Sequence, residues 1–228
     1  MKNQLICGAL LLALIIPSSG LAFSDDAAIT QKDSVKTCTD LGIIKGRDNG
    51  KFDPAASLTR AEMAKMIAMI QVGGQNQFGF GSDSNPNPFA DIEQHWAKGY
   101  ILYCYAGKQV EGRSATSFAP NETLNAVECA KMLLTLLGYR SDVEGYTGAT
   151  WASAVWTRAE QVGLLKNLSN VKSADVISRE NASVMITNAL QTKTVSYEGR
   201  LIQVGSNAIT CNYTLKEGSK TLQEMYFK

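Results

Sequence analysis

The 228-residue sequence has little of several features that define large classes of protein. Its 22 Lys and Arg residues nearly balance 21 Asp and Glu residues, so it lacks the basic excess typical of nucleic-acid binders. Hydrophobic residues make up 45% of the chain, which excludes the low-hydrophobicity, high-charge composition of disordered proteins. A single histidine, His95, leaves little basis for a histidine-rich metal site or for histidine bases. We therefore expect no enzyme, no metal site and no cofactor.

The N-terminus has the order of a secretory signal. Lys2 precedes an apolar run from Leu5 to Ile16, and Pro17 and small residues up to Ala22 follow. The run of about a dozen residues is shorter than the ~20 that span a bilayer as a helix. We predict a signal peptide over residues 1–22, an exported product, and no membrane span after cleavage.

Four cysteines remain after this segment: Cys38, Cys104, Cys129 and Cys211. Export makes disulfides possible. However, Cys38 and Cys104 occupy the same position in two sequence repeats, on the apolar side of a helix. The pattern therefore favours small buried apolar residues at both positions.

An internal repeat with an offset of 66 residues dominates the sequence. A more diverged third copy contains Gly163-Leu-Leu-Lys166, Ile177-Ser-Arg179 and Trp151. A repeat of this length indicates an array of small structural units. The residues that recur between the first two copies are Gly46 and Gly112, Arg47 and Arg113, Phe52 and Phe118, Pro54 and Pro120, Leu58 and Leu124, and Glu62 and Glu128.

Each copy is predicted to form a helix, a loop and a second helix. In the second copy, apolar spacing predicts one helix from His95 to Ala106 and another from about Ala126 to Leu137. Residues 73–88 are rich in Gly, Asn, Ser and Pro and predict a linker. One helix pair cannot bury its apolar stripe alone, so three copies predict a shared helical core.

The segment Thr59-Arg60-Ala61-Glu62 predicts a capping box at the start of a helix. Arg60 then stands beside free backbone N–H groups and the positive end of the helix dipole, an arrangement that suits a carboxylate or phosphate. The alternative is an ordinary cap with an exposed arginine. The second copy keeps the cap residues Asn125 and Glu128 but has Ala126 in place of the arginine. The third copy keeps Ser178 and Arg179.

The same tetrapeptide letters recur at Thr157-Arg-Ala-Glu160. This segment lies inside the predicted first helix of the third copy, before Gly163. We interpret it as a coincidence and not as a helix start.

These motifs resemble the S-layer homology (SLH) domain, in three tandem copies over about residues 23–196. The resemblance is carried by Phe89-Ala-Asp91, His95-Trp96-Ala97, Gly42-Ile-Ile-Lys-Gly46, Phe52-Asp-Pro54 and Thr59-Arg-Ala-Glu62. It is closest to the N-terminal wall-anchoring region of Clostridia-type surface proteins. The first copy departs from the pattern because it lacks the His-Trp pair.

The resemblance implies a mainly α fold in which three SLH repeats form a pseudo-threefold bundle with grooves between neighbours. It implies repeats at residues 23–72, 89–140 and 146–196, with the 73–88 linker between the first two. It further implies non-covalent binding of acidic, pyruvylated secondary cell-wall polysaccharide by a secreted protein at the Gram-positive cell surface. The glycan-binding residues carried over are Arg60, Arg179, Trp96, Asp91 and Trp151.

Two questions stay open at this point. Each Trp on an apolar helix stripe could equally belong to the core. An alternative function is a structural S-layer or assembly protein whose repeats bind protein partners, including copies of itself.

The last part of the sequence predicts a short β-rich tail over residues 197–228. Two strands, Leu201–Val204 and Ile209–Tyr213, flank a turn at residues 205–207, and Lys216–Ser219 predicts another turn. A third β-type run extends from Thr221 to Phe227. We expect the start of a further, truncated domain.

Overall fold

The computed structural model describes residues 23–75, 86–204 and 208–227. The predicted signal peptide and most of the predicted linker lie outside these residues. The described chain is mainly α-helical, as the sequence predicts, and it has one two-stranded antiparallel sheet. Its elements are α1 (Lys32–Asp40), α2 (Arg60–Gln71), α3 (Lys98–Ala106), α4 (Ala126–Leu136), α5 (Trp151–Gln161), α6 (Arg179–Leu190), β1 (Lys193–Val204), β2 (Ala208–Thr221) and α7 (Leu222–Tyr226).

The second helix of each copy begins at the predicted cap. Thr59 and Asn125 each accept from the backbone N–H of the glutamate three residues on, and that glutamate accepts from the cap's own N–H. Ser178 accepts from the Asn181 N–H and caps α6. These caps satisfy orphan N–H groups of the first turn and fix where each helix starts.

The remaining N–H groups of each first turn donate to a loop of another copy. Arg60 N donates to the Glu122 carbonyl and Ala61 N to the Pro120 carbonyl. In the same way α4 donates to the loop of the third copy, and α6 donates to the loop of the first. Each second helix therefore depends on a neighbouring copy for its N-terminal hydrogen bonds.

A closed ring of backbone hydrogen bonds joins the three copies. Leu58 N donates to the Ile177 carbonyl, Ile177 N to the Leu124 carbonyl, and Leu124 N to the Leu58 carbonyl, at 2.9–3.0 Å. All three side chains are fully buried. Around this ring α1 packs on α6, α3 on α2, and α5 on α4.

The buried cysteines behave as apolar core residues. Cys38, Cys104 and Cys129 have no exposed surface, and burial raises the pKa of each thiol. The four described cysteines are all free, with Cys211 half-buried on β2. The prediction of buried apolar roles for Cys38 and Cys104 is confirmed.

The start of one helix differs from the prediction. The first helix of the second copy starts at Lys98, not at His95, because His95 Nδ1 accepts from the Ala97 N–H and forms a turn ahead of the helix. Trp96 consequently precedes the helix and is 57% exposed, so a core role for Trp96 is wrong. Residues 157–160 lie inside α5, as interpreted from the sequence.

The tail is partly different from the prediction. The β-hairpin extends over Lys193–Val204 and Ala208–Thr221, so the predicted turn at Lys216–Ser219 lies within a strand. The predicted third β-type run is wrong, because Thr221 and Glu224 form a capping box that starts α7. Leu222 of α7 is fully buried and α7 packs on α6, which ties the tail to the helical core.

No helix of the described residues is long and apolar enough to cross a membrane.

Candidate functional site

Two pockets with matching construction lie between neighbouring copies. The first pocket, about 300 Å³, is formed by the loop of the first copy, α2, Trp96 and Arg179. The second pocket, about 330 Å³, is formed by the loop of the second copy, α4, Trp151 and Arg60. Each pocket therefore combines residues from all three copies.

Both pockets carry an excess of positive charge. The first is lined by four cationic and two acidic side chains: Lys45, Arg47, Lys65 and Arg179 against Asp48 and Glu62. The second has the same balance, with Arg60, Lys108, Arg113 and Lys131 against Glu111 and Glu128. A concave surface with excess positive charge favours an anionic ligand.

The buried arginines Arg60 and Arg179 form the floor of the two pockets. Only 4% and 3% of their surfaces are exposed. Arg60 donates from Nε to the Phe118 carbonyl at 2.8 Å and from Nη2 to the Glu111 carbonyl at 2.6 Å. Arg179 makes the equivalent bonds to the Phe52 and Lys45 carbonyls, at 2.9 and 3.1 Å.

Each of these guanidinium groups also stacks on an aromatic ring. The Arg60 guanidinium carbon is 4.5 Å from the centre of the Phe118 ring, and that of Arg179 is 5.0 Å from Phe52. Burial lowers the pKa of Arg60 to about 10, which still leaves it charged at neutral pH. Both arginines therefore hold a neighbouring loop and place a fixed positive charge beneath a pocket.

The sequence-based picture of an open helix N-terminus is wrong in one respect. The first-turn N–H groups of α2 and α6 already donate to backbone carbonyls of another copy, so they are not available to an anion. The arginine also serves a pocket that belongs to the next copy's loop. Consequently the replacement at Ala126 affects the third copy's loop and not its own.

Arg47 and Arg113 are the pocket arginines that reach toward solvent. They recur at the same position of the first two copies, but they were not predicted from the sequence as site residues. Their side chains are each 38% exposed. Arg47 donates to Glu62 at 2.8 Å, and Arg113 donates to Glu128 and Glu122. The signal that could have identified them is their identical position in the 66-residue offset.

A lysine lies against the tryptophan of each pocket, which is exposed at Trp96 and half-buried at Trp151. Lys65 Nζ is 5.7 Å from the Trp96 ring centre, and Lys131 Nζ is 5.5 Å from that of Trp151. Burial, together with the neighbouring charges of Lys45 and Arg179, lowers the pKa of Lys65. An aromatic face beside a cation can stack on a sugar ring while binding its acidic substituent.

The third interface lacks the tryptophan, the buried arginine, and the glutamate and lysine of the second helix. By the offset of the repeat, Thr30 stands in place of Trp96 and Ala126 in place of the buried arginine. Asn181 and Val184 replace the glutamate and the lysine of the second helix. Glu180 instead accepts from the backbone N–H groups of Thr30 and Gln31, at 2.6 and 2.7 Å. The third interface is therefore a structural joint.

Comparison with known proteins identifies the repeats. A model of the S-layer homology domain matches residues 22–64 and 88–125, the greater part of the first two copies. The chain contains S-layer homology domains. The first and second SLH copies contribute the loops that line the two pockets, and the third copy, although outside the matched residues, supplies Arg179 and Trp151.

The SLH chain is similar to proteins of the bacterial cell surface. It is 27% identical to the Surface-layer 125 kDa protein of Lysinibacillus sphaericus over 93% of this chain and 18% of that protein. It is 23% identical to the Middle cell wall protein of Brevibacillus brevis over 83% of this chain and 18% of that protein. It is also 25% identical to an uncharacterized cell wall amidase of Bacillus anthracis, over 60% of this chain and 30% of that protein.

The chain spans less than a third of the length of these relatives. The SLH matches and the named surface-layer relatives indicate a secreted protein of the Gram-positive cell surface. They also support attachment at the cell wall or surface as the general role of the SLH copies.

Asp91, the remaining predicted glycan contact, supports the loop of the second SLH copy. Its carboxylate accepts from the N–H groups of Phe118 and Ala119 and from the Ser117 hydroxyl, at 2.7–2.9 Å. Burial works to raise the pKa of Asp91, but these hydrogen bonds outweigh it and lower the pKa. Asp25 holds Phe52 and Asp53 in the same way in the first copy. Neither residue lines the two pockets.

Among the described residues, no group of three or more His, Cys, Asp or Glu side chains is placed to hold a metal ion. His95 Nε2 is 3.1 Å from Asn121 Oδ1, at the surface of the second copy. The excess positive charge and the tryptophan of each pocket suit an anionic ligand that contains a ring.

Proposed function

We propose that the three SLH copies form one pseudo-threefold unit that anchors an exported protein to the cell wall by binding an acidic secondary polysaccharide. The ligand class is a glycan that carries a carboxylate, such as a pyruvate ketal. Attachment is non-covalent and involves no catalytic step. The arrangement as a pseudo-threefold bundle is supported by the cyclic hydrogen bonds of Leu58, Leu124 and Ile177.

The observation that carries the proposal is the pair of matching pockets. Two sites built alike, 66 residues apart, each combine excess positive charge with a tryptophan in the lining, exposed at Trp96 and half-buried at Trp151. Core packing does not require a tryptophan that is 57% exposed, nor cations gathered in a concave surface. A repeating acidic polymer is a ligand that two equivalent pockets can bind at the same time, which increases the overall strength of attachment.

Within each pocket the proposed roles differ by residue. Arg47 and Arg113 bind the carboxylate of the glycan from the solvent side, because a guanidinium can donate two parallel hydrogen bonds. Trp96 and Trp151 stack on the sugar ring. Arg60 and Arg179 contribute charge from below and keep the loops in position, with Nη1 as the nitrogen outside their two backbone hydrogen bonds.

Co-sedimentation with purified cell-wall sacculi tests this function. The mature chain should sediment with intact sacculi and stay in solution when acid extraction has removed the secondary polysaccharide. Free polysaccharide should compete, and added salt should weaken binding because charges at accessible sites are screened. Equal binding to stripped sacculi would contradict the proposal.

The second candidate is an assembly protein whose repeats bind protein partners. The relatives named surface-layer proteins favour it as a function that accompanies anchoring. Association between purified chains without wall polymer, unaffected by changes at Trp96 and Trp151, would support this candidate over polysaccharide binding.

A further inference from the structure

A large cavity adjoins the second pocket. This side cavity of about 790 Å³ lies between the end of α3 and the segment that follows α4. It shares Lys108, Gln109 and Glu111 with the second pocket, so the two spaces lie next to each other. Tyr139, Arg140 and Asp142 form its far side.

The turn beside this space differs between the copies, because the second copy has Lys108 where the first has Gly42. In the first copy Gly42 adopts φ +69°, and a Cβ there would lie 2.7 Å from the Gly74 carbonyl oxygen. The chain after α2 therefore packs directly against the end of α1. In the second copy Lys108 holds the same left-handed conformation, φ +61°, and its side chain prevents such close packing.

Lys108 is the exception among three equivalent turns. Gly163 occupies the position in the third copy with φ +79°. A lysine in the left-handed region is strained relative to glycine, and strain of this kind is often retained at binding sites. Here the strained lysine lines both the second pocket and the side cavity.

Gln109 supplies an unused hydrogen-bond acceptor at the junction. Its Oε1 atom is buried and has no hydrogen-bond partner. The side chain folds over Gly107, where a Cβ would lie 2.2 Å from Oε1. The backbone is held by Gln109 N donating to the Cys104 carbonyl and by Thr135 Oγ1 donating to the Gln109 carbonyl. The residue equivalent to Gln109 in the first pocket is Ile43, which offers no such group.

The charge of the side cavity differs from that of the pockets. Lys108 and Arg140 are balanced by Glu111 and Asp142 among its lining residues, so the net charge is zero. Arg140 and Asp142 are paired with each other, and Glu111 is paired with Lys131 at 2.9 Å. A neutral lining with an unpartnered acceptor suits an uncharged, hydroxyl-rich unit.

We propose that the side cavity is a subsite for a neutral sugar attached to the acidic sugar in the second pocket. This inference rests on the proposed function and adds that the two pockets are not equivalent. The first pocket recognises one acidic unit, whereas the second recognises an acidic unit together with its neutral neighbour. The Gln109 side chain turns out from over Gly107 on binding, so that its Oε1 atom, which has no partner in the free protein, accepts from a hydroxyl of that neighbour.

The test compares two synthetic probes by titration followed with NMR. One probe is a methyl glycoside that carries a pyruvate ketal, and the other is the same unit extended by one neutral hexose. The indole N–H signals of Trp96 and Trp151 report the first and second pockets separately. Extension should strengthen binding at Trp151 by about tenfold and leave binding at Trp96 unchanged.

Two variants sharpen this test. Gln109→Ile gives the second pocket the residue of the first, and it should remove the gain from extension, measured as the ratio of the two probes' affinities at Trp151 within the same variant. Lys108→Gly relieves the strained turn, so it should not unfold the chain, and it should also reduce the gain. Equal strengthening at both tryptophans, no strengthening at Trp151, or an undiminished gain in Gln109→Ile would overturn the inference.

Failure of this inference can be distinguished from failure of the proposed function. If the single acidic unit binds at both tryptophans but extension has no effect, only the subsite is wrong. If neither probe binds at either tryptophan, acidic-glycan recognition in the pockets is wrong, and the subsite is overturned with it.

Discussion

At the residue scale, each pocket contains two arginines with different roles: a buried one that mainly stabilises the fold and an exposed one that mainly binds ligand. Arg60 is buried and hydrogen-bonded to two carbonyls of another copy, whereas the Arg113 side chain is 38% exposed and paired with surface carboxylates. Arg60→Ala leaves both carbonyls unsatisfied and should lower the free energy of unfolding by about 2–4 kcal/mol in urea denaturation.

Arg113→Ala is the matched control. An exposed ion pair contributes little to stability, so this variant should lose less than about 1 kcal/mol while binding polysaccharide more weakly. The assignment would be contradicted if Arg113→Ala lost as much stability as Arg60→Ala, or if it kept full binding.

Asp91 gives a prediction about pH. Its pKa in the folded protein is lower than in the unfolded chain, so its stabilising effect is complete above the unfolded value and is lost as pH falls through the folded value. Asp91→Asn should therefore destabilise the protein at pH 7, measured by thermal unfolding. The difference from the unmodified chain should narrow below about pH 4.

The same experiment can refute the role given to the Asp91 carboxylate. A difference between Asp91→Asn and the unmodified chain that stays constant from pH 7 to pH 3 would show that ionisation is irrelevant. The loop hydrogen bonds of Phe118 and Ala119 would then not be the source of stability.

The sequence predicts which residues line a pocket better than it predicts which copies come together to form that pocket. Arg60 and Arg179 were identified from a local motif, and both do reach a pocket. What no local pattern contains is that Arg60 lies beneath the loop of the second copy, since its hydrogen bonds to Glu111 and Phe118 cross 51 and 58 residues. Trp96 was ambiguous because its exposure depends on the helix starting two residues after it.

At the scale of elements, the caps were predictable and the tail was not. A capping box is written in four consecutive residues, so the starts of α2 and α4 follow directly from the sequence. The segment after Lys193 is rich in β-forming residues, and this favoured a third strand where the Thr221–Glu224 capping box starts α7. Tertiary packing decided the outcome, because Leu222 fits into the helical core.

Helix α7 should contribute measurably to the stability of the whole fold. Leu222 is fully buried, so Leu222→Ala should lower the free energy of unfolding by about 2–4 kcal/mol through lost burial and a residual cavity. Met225 on the same helix is 40% exposed, so Met225→Ala should change the free energy of unfolding by less than about 0.5 kcal/mol. Urea denaturation measures the free energy of unfolding of both variants. Equally small losses in Leu222→Ala and Met225→Ala would mean that the tail is not part of the core.

At the scale of the whole molecule, the cyclic connections predict cooperative unfolding. In a linear array each repeat contacts only its sequence neighbours, and one end can unfold alone. Here α6 of the third copy donates to the loop of the first copy, so removing one copy exposes the helix ends of another. Far-ultraviolet circular dichroism and tryptophan fluorescence should report one coincident transition. Two separated transitions would contradict a closed unit.

The central claim is that two of the three interfaces bind an acidic glycan. Isothermal titration of the mature chain with the pyruvate-ketal methyl glycoside tests it most directly. We expect the unmodified chain to bind two ligands, Trp96→Ala and Trp151→Ala to bind one ligand each, and the double variant to bind none. Circular dichroism should confirm that all variants remain folded. Unchanged stoichiometry in the folded double variant would contradict the account.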